Sequence, residues 1–461
     1  MGVFKAYDIR GIAGTELDSD FAERLGKALA THYDAGCVSV VRDIRESSPE
    51  YHEAFVRGLL SAGADVLDLG ISTTGVLYRS TVDLPVDVSV VITASHNPPE
   101  YNGFKICHGK MPVGGEELQD IRRTFESGEF RVGNGSYKSM EEYEEEYTES
   151  IIESIGSLSR DIRVVLDCGN AVPGPLAVRV LERLGVDVIP LYCDWDSTFP
   201  NHPPDPTRQE NMSDLSRAVL EHGAEFGIGM DGDGDRLGVV DENGSFIHPD
   251  RLMGIFVHDI LSGLPEDASE EQRTIFFDVK CSMALEEAIE DLGGVPRMVR
   301  TGHTFMKLEL RDHPTSSPAG EMSGHFFMND HWDGFDDAIY CAARLLGIVG
   351  MDPSPEQGGP KFSERFGFMP EYPTTDEGKI PLVGDRDEVM EGVANAFSDM
   401  PVSTVDGIRA RYKDGWFLCR PSNTEPILVM RAEGRDQGAL DSILSDISSR
   451  IGHIVDIEKL K

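Results

Sequence analysis

The segment Thr93-Ala94-Ser95-His96-Asn97-Pro98-Pro99-Glu100-Tyr101-Asn102-Gly103-Phe104-Lys105 follows directly on the apolar run Val88-Ser89-Val90-Val91-Ile92. The run reads as a short buried strand, which puts Ser95 at a strand's carboxyl end, where open α/β sheets carry their chemistry. A hydroxyl with an imidazole beside it and an ammonium ten residues on can give or take a group. Taken alone, the segment reads first as a Ser-His-Asn turn closing a strand.

A second loop, far away in sequence, shifts that balance. Asp231-Gly232-Asp233-Gly234-Asp235-Arg236 alternates three carboxylates with glycines, a hard oxygen site for a cation such as Mg²⁺. The spacing on to Glu242 resembles an EF-hand, but Arg236 stands where that loop needs glycine, and both flanks read as strands, the second entering an Asn243-Gly244 turn. Gly227, Gly229 and Gly232 also satisfy G-x-G-x-x-G, yet no helix is expected after them and the aspartates would repel a pyrophosphate. A solvated acidic turn stays open as the alternative.

Composition bears on it: 81 Asp+Glu face 42 Lys+Arg, a net charge of -39 over 461 residues. Steering of nucleic acid or an anionic membrane surface is excluded on that balance. Lysine is scarce, so Lys105 and Lys280, each beside a candidate loop, stand out. An evenly acidic, lysine-poor surface suits a salt-rich cytosol that screens self-repulsion, and a halophilic source is the expectation. Seven dispersed cysteines without a C-x-x-C pair support neither a disulfide framework nor a zinc ribbon. With no apolar leader at the amino terminus and no stretch of membrane-spanning length, a soluble cytoplasmic protein is expected.

A chain this long holds several domains. Three α/β segments and one α+β segment are expected: 1–150, 151–248, 249–358 and 359–461. In the first, helices over Ser19 to Tyr33, Pro49 to Ala62 and Gly115 to Ser127 alternate with strands over Val38 to Asp43, Asp65 to Leu69 and Val88 to Thr93. The acidic helix from Met140 to Gly156 hands over to the second. The Pro/Gly-rich stretch Asp352 to Pro360 separates the third from the fourth. These last two segments supply two further polar loops. Gly320-Glu321-Met322-Ser323-Gly324-His325 alternates carboxylate, hydroxyl and imidazole with small or apolar residues, as a polyhydroxylated ligand would require, or is a turn into Phe326-Phe327. Arg420-Pro421-Ser422-Asn423-Thr424-Glu425-Pro426 combines a guanidinium, two hydroxyls and an amide, donors that cradle a phosphate, or is a hairpin turn.

A hydroxyl nucleophile, a cation loop, a sugar-type loop and a phosphate cradle together point to phosphoryl transfer. In these loops and their order, and in Ala6-Tyr7-Asp8-Ile9-Arg10-Gly11 near the start, the chain resembles the α-D-phosphohexomutase superfamily, in its phosphomannomutase/phosphoglucomutase branch. Met322 is similar to the hexose branch; a phosphoglucosamine mutase more typically has Gln there.

The resemblance implies three similar mixed α/β domains and a C-terminal α+β domain around a central cleft. It implies an enzyme that interconverts hexose 1- and 6-phosphates, with hexose 1,6-bisphosphate as intermediate and activator. Ser95 would be the phosphoserine. Asp231, Asp233 and Asp235, with an oxygen of Ser95, would hold Mg²⁺. Arg10, His96 and Lys105 would line the transfer centre, and Arg236 would orient the phosphoserine. Lys280 and His303 would contact sugar or phosphate; Glu321, Ser323 and His325 the sugar hydroxyls; Arg420, Ser422, Asn423 and Thr424 the phosphate that stays. Val41, the turn Asn170 to Gly174, and Ala338 depart from the family pattern without touching these groups. A phosphoglucosamine mutase, and a sugar-phosphate-binding protein without turnover, are the rival readings.

Overall fold

A computed structural model of the protein describes residues 2–422 and 426–460. Its first three sheets share one plan. In each, a central strand pairs parallel with the two strands that follow it, one on either side, and the second of those pairs antiparallel with a fourth. In the first sheet the four are Cys37–Arg42, Asp65–Ile71, Val88–Ile92 and Tyr101–His108. In the second they are Arg163–Asp167, Asp187–Leu191, Phe226–Met230 and Leu237–Asp241, and in the third Thr274–Asp278, Val295–Val299, Ala319–Gly320 and Phe326–Phe327. The first sheet is widened by Ile9–Ile12, Met111–Pro112 and Tyr137–Ser139. The fourth sheet, Gly378–Pro381, Ile427–Gly434, Gly415–Pro421, Ile408–Tyr412 and Val402–Ser403, is antiparallel throughout.

The pattern follows from the residues. Val88–Ile92, Phe226–Met230 and Thr274–Asp278 are buried at every position, as near-continuous apolar runs are when helices cover both faces of a sheet. The expected helices form as Ser19–His32, Ser48–Ser61, Gly115–Ser127 and Tyr143–Ile155. Among the elements not foreseen, two serve the site: the helix Thr74–Asp83 and the strand Tyr101–His108. The strand carries Asn102 and Lys105 on a buried stretch, and such polar residues break the apolar run by which a strand is recognised.

The second and third sheets pack into one large core around the helix Ala338–Gly350, and Phe362, Phe366 and Met369, beyond the Pro/Gly stretch, belong to that core. The first sheet also lends Val41, Leu69, Val91 and Cys107 to it, while its other face and the fourth sheet have cores of their own. Among the described residues no helix is long and apolar enough to cross a membrane, and the seven cysteines are free thiols.

Candidate active site

The polar loops fall at equivalent places. Residues 93–100, 231–236 and 321–325 each join the third strand of their sheet to the fourth, where parallel pairing gives way to antiparallel. Three turns with no sequence in common therefore meet at one point.

Ser95 adopts φ 51°, a left-handed conformation that costs a residue with a β-carbon on the order of 1 kcal/mol. Its Oγ donates to Asp231 Oδ2 at 2.7 Å and lies 3.0 Å from His96 Nδ1. The approach depends on Gly232, whose β-carbon, were there one, would lie 2.1 Å from the Ser95 carbonyl oxygen. Burial, reinforced by Arg236 and Arg10, holds the His96 imidazole well below its usual pKa.

Asp231, Asp233 and Asp235 are all buried, with carboxylate oxygens within 4.8 Å of one another. Asp231 Oδ1 accepts from the backbone N–H groups of Gly234, Asp235 and Arg236, which fixes the loop on its own first residue. Asp233 Oδ2 accepts from Thr74 Oγ1 at 2.7 Å and from Lys105 Nζ at 2.6 Å, and Lys105 also reaches Asp235 Oδ2 at 2.5 Å. Burial works against the ammonium of Lys105, but Asp233, Asp235 and Asp231 outweigh it and raise its pKa. Burial and the two neighbouring carboxylates push Asp231 well up; against burial, Lys105 and His325 hold Asp235 well down. One lysine thus offsets part of the charge of three carboxylates, and among the described residues buried Asp233 Oδ1 accepts no hydrogen bond, while Asp235 Oδ1 faces only the imidazole of His325.

The sugar-type loop continues this wall. His325 stands between two acids, Nδ1 3.1 Å from Glu321 Oε2 and Nε2 3.3 Å from Asp235 Oδ1. Burial lowers its pKa, but Asp235 and Glu321 raise it further, to about 9. Ser323 Oγ lies 2.8 Å from His325 Nδ1, and Arg236 Nε 3.3 Å from its Nε2. The His303 ring lies beside that of His325, centroids 5.5 Å apart. Glu321 Oε1 accepts from Gly302 N, and Thr301 N donates to Asp406 Oδ2, the oxygen that also accepts from Arg420 Nε at 2.7 Å. An unbroken series of contacts therefore runs from Ser95 to Arg420. Lys280 Nζ pairs with Glu377 Oε1 at 2.8 Å on the same flank, and Arg10 Nη1 reaches Asn97 Oδ1 in the serine loop. In the fourth loop Ser422 is described, while Asn423 and Thr424 lie outside the described residues.

Family models for phosphoglucomutase/phosphomannomutase match the chain in order: alpha/beta/alpha domain I over residues 1–132, domain II over 141–244, domain III over 248–372, and the C-terminal domain over 377–449. The chain belongs to the phosphoglucomutase/phosphomannomutase family. Phosphomannomutase/phosphoglucomutase of Pseudomonas aeruginosa is 38% identical over 447 residues, spanning 96% of this chain and 93% of that protein. Phosphoglucomutase of Neisseria gonorrhoeae is 37% identical over 450 residues, 96% of this chain and 95% of its own. A crystal structure of a phosphoglucomutase/phosphomannomutase family protein from Burkholderia thailandensis superposes with a TM-score of 0.89 at 37% identity, covering 98% of this chain and 97% of that one. As a member of this family the chain is a mutase, an enzyme of the isomerase class.

Within this family site several contributors escaped sequence reading. Thr74 sits on the unforeseen helix and donates its backbone N–H to Asp233 O as well as its hydroxyl to the carboxylate. Asp336 is buried beside His325 and His303, and Lys307 Nζ lies 2.5 Å from its Oδ1. The scarcity of lysine, which singled out Lys105 and Lys280, applied to Lys307 too. Asp406 and Glu377 gave no signal, because single acids are unremarkable in so acidic a chain.

Proposed function

We propose that the chain interconverts hexose 1-phosphate and hexose 6-phosphate, of mannose, glucose or both, through a phosphoserine at Ser95 and a hexose 1,6-bisphosphate. One observation carries the reading: the Ser95 hydroxyl bonds to a carboxylate of a buried, oxygen-only cluster. A nucleophilic hydroxyl beside such a cluster is the equipment of phosphoryl transfer. Asp231, Asp233 and Asp235, with an oxygen of Ser95, would hold Mg²⁺. Hard donors alone, one of them, Asp233 Oδ1, buried and without a hydrogen bond among the described residues, fit a small divalent cation. Bound there, the ion offsets negative charge on the phosphoryl group.

In this reading Ser95 gives its phosphoryl to one sugar hydroxyl and recovers one from the other end of the bisphosphate. His96, neutral at physiological pH, Arg10 and Lys105 surround the moving group and handle the hydroxyl proton. Arg236 orients the phosphoserine. Lys280 and His303 contact sugar or phosphate, while Glu321, Ser323 and His325 hold the sugar hydroxyls. Arg420, Ser422, Asn423 and Thr424 keep the second phosphate, so that the bisphosphate can turn over without leaving the cleft. Parallel initial-rate kinetics on mannose, glucose and glucosamine 1-phosphates tests the substrate. Turnover of the hexose phosphates is expected; clear preference for the amino sugar would replace this reading with a phosphoglucosamine mutase.

A further inference from the structure

The turn Asp43-Ile44-Arg45, after the strand Cys37–Arg42, carries none of the groups assigned above. Its arginine is 1% exposed, and its guanidinium is spent almost wholly on the serine loop. Nη2 donates to the carbonyls of Ser95 and Asn97, both at 2.7 Å, and Nη1 to those of Pro98 and Tyr101 at 2.7 and 3.0 Å. Nε donates to Asp43 Oδ2 at 3.1 Å. Asp43 is itself fixed: its Oδ1 accepts from Arg45 N and Ser48 Oγ, and its backbone N–H donates to Ile92 O, at the strand end from which the serine loop departs. The far end of the loop is tied to the same turn through buried Asn102, whose Nδ2 donates to Ser47 and Ser48. From the second domain, the Phe199 ring lies 5.3 Å from the guanidinium carbon.

We propose that Arg45 is a positioning residue for phosphoryl transfer: backed by Asp43 and Phe199, it holds the Ser95 loop in the left-handed conformation that aims Oγ at Asp231. The proposal rests on Ser95 being the phosphorylated residue. Water could satisfy the same four carbonyls, but only a rigid planar fork of donors also fixes where they stand. Released from it, a serine at positive φ relaxes toward the extended region, and Oγ swings away from the carboxylates. Asp43 neutralises the guanidinium locally, so the contribution is one of geometry more than of charge.

The test compares Arg45→Lys and Phe199→Leu with the wild-type chain in the presence of Mg²⁺. Arg45→Lys is expected to lower kcat about 10–100-fold while KM for glucose 1-phosphate stays within about twofold, the split that marks loss of alignment rather than of binding. Phe199→Leu, which keeps every hydrogen bond of Arg45, is expected to lower kcat less and in the same sense. Intact mass of the purified variants should show a smaller phosphorylated fraction than the wild type. An unchanged kcat in both variants overturns the proposal, and so do kcat and KM worsening together with a lowered unfolding midpoint, which would give Arg45 a merely structural role. Should Arg45→Lys fail to fold, Phe199→Leu decides by the same criterion. If the serine reading itself were at fault, wild-type protein incubated with substrate would show no phosphorylated Ser95, an outcome independent of both variants.

Discussion

The hydroxyl of Ser95 and the carboxylate of Asp231, 136 positions apart in sequence, meet at 2.7 Å across two different sheets. The contact exists because the two loops leave equivalent corners of similar sheets, and because Gly232 lets the backbones touch. A methyl side chain at Gly232 is therefore expected to push the two loops apart. Gly232→Ala should fold with native circular dichroism yet lose most turnover.

Ser95→Ala should lose nearly all mutase activity, since a methyl group cannot attack phosphorus. Wild-type protein should be partly phosphorylated at Ser95 by intact mass, and hexose 1,6-bisphosphate should reactivate the dephosphorylated fraction. Interconversion by the alanine variant, with no phosphorylated form in the wild type, would remove the phosphoserine from the mechanism.

Lys105 offers a test that does not depend on turnover. Lys105→Met leaves Asp233 and Asp235 buried without their ammonium, a loss of about 3 kcal/mol of stability in metal-free protein. Excess Mg²⁺ should restore more of the unfolding midpoint in this variant than it adds to the wild type. Equal midpoints for variant and wild type without metal would contradict the charge balance.

Arg420→Ala deletes a guanidinium that Asp406 holds on the fourth-domain flank. Substrate binding should weaken by roughly 2–3 kcal/mol, read as a raised Kd for glucose 1-phosphate by calorimetry. A defect confined to the chemical step would sink the phosphate-binding role.

Asp337 gives the pH dependence. It caps the helix Ala338–Gly350 and accepts from Tyr147 Oη at 2.9 Å, but burial raises its pKa to about 6. A carboxyl whose folded pKa is raised favours the fold fully below its unfolded value and loses that contribution as pH rises through about 6. Asp337→Asn keeps an N-cap acceptor and removes the ionisation. It should stabilise the protein at neutral pH by on the order of 2 kcal/mol, the gain vanishing near pH 4, as chemical denaturation at the two pH values would show.

Each loop was legible in the sequence because chemistry demands unusual residue combinations: a serine beside histidine, or aspartates alternating with glycines. The buried strands were legible from their apolar runs. That three similar α/β domains precede an α+β domain was implied by the family resemblance and holds; the strand order and pairing sense they share were not legible, because the residues at equivalent corners do not repeat. Tyr101–His108 escaped because Asn102 and Lys105 are polar residues placed inward to serve the site. Thr74 and Asp336 escaped because only tertiary contact gives them meaning: a threonine opening a helix and an acid ahead of one are ordinary helix-start residues. Reading sequence for function thus finds the groups that act and overlooks those that hold them.

The recurrence of polar turns at one corner of successive sheets has a consequence for how the enzyme fails. No single sheet carries a reaction centre that could work at reduced efficiency; each carries a fragment with no chemistry of its own. Catalytic output is therefore a report on whole-molecule integrity. Loosening any one sheet, by heat, denaturant or a proteolytic cut between units, should extinguish activity before most secondary structure is lost, so inactivation should precede the circular-dichroism transition rather than follow it.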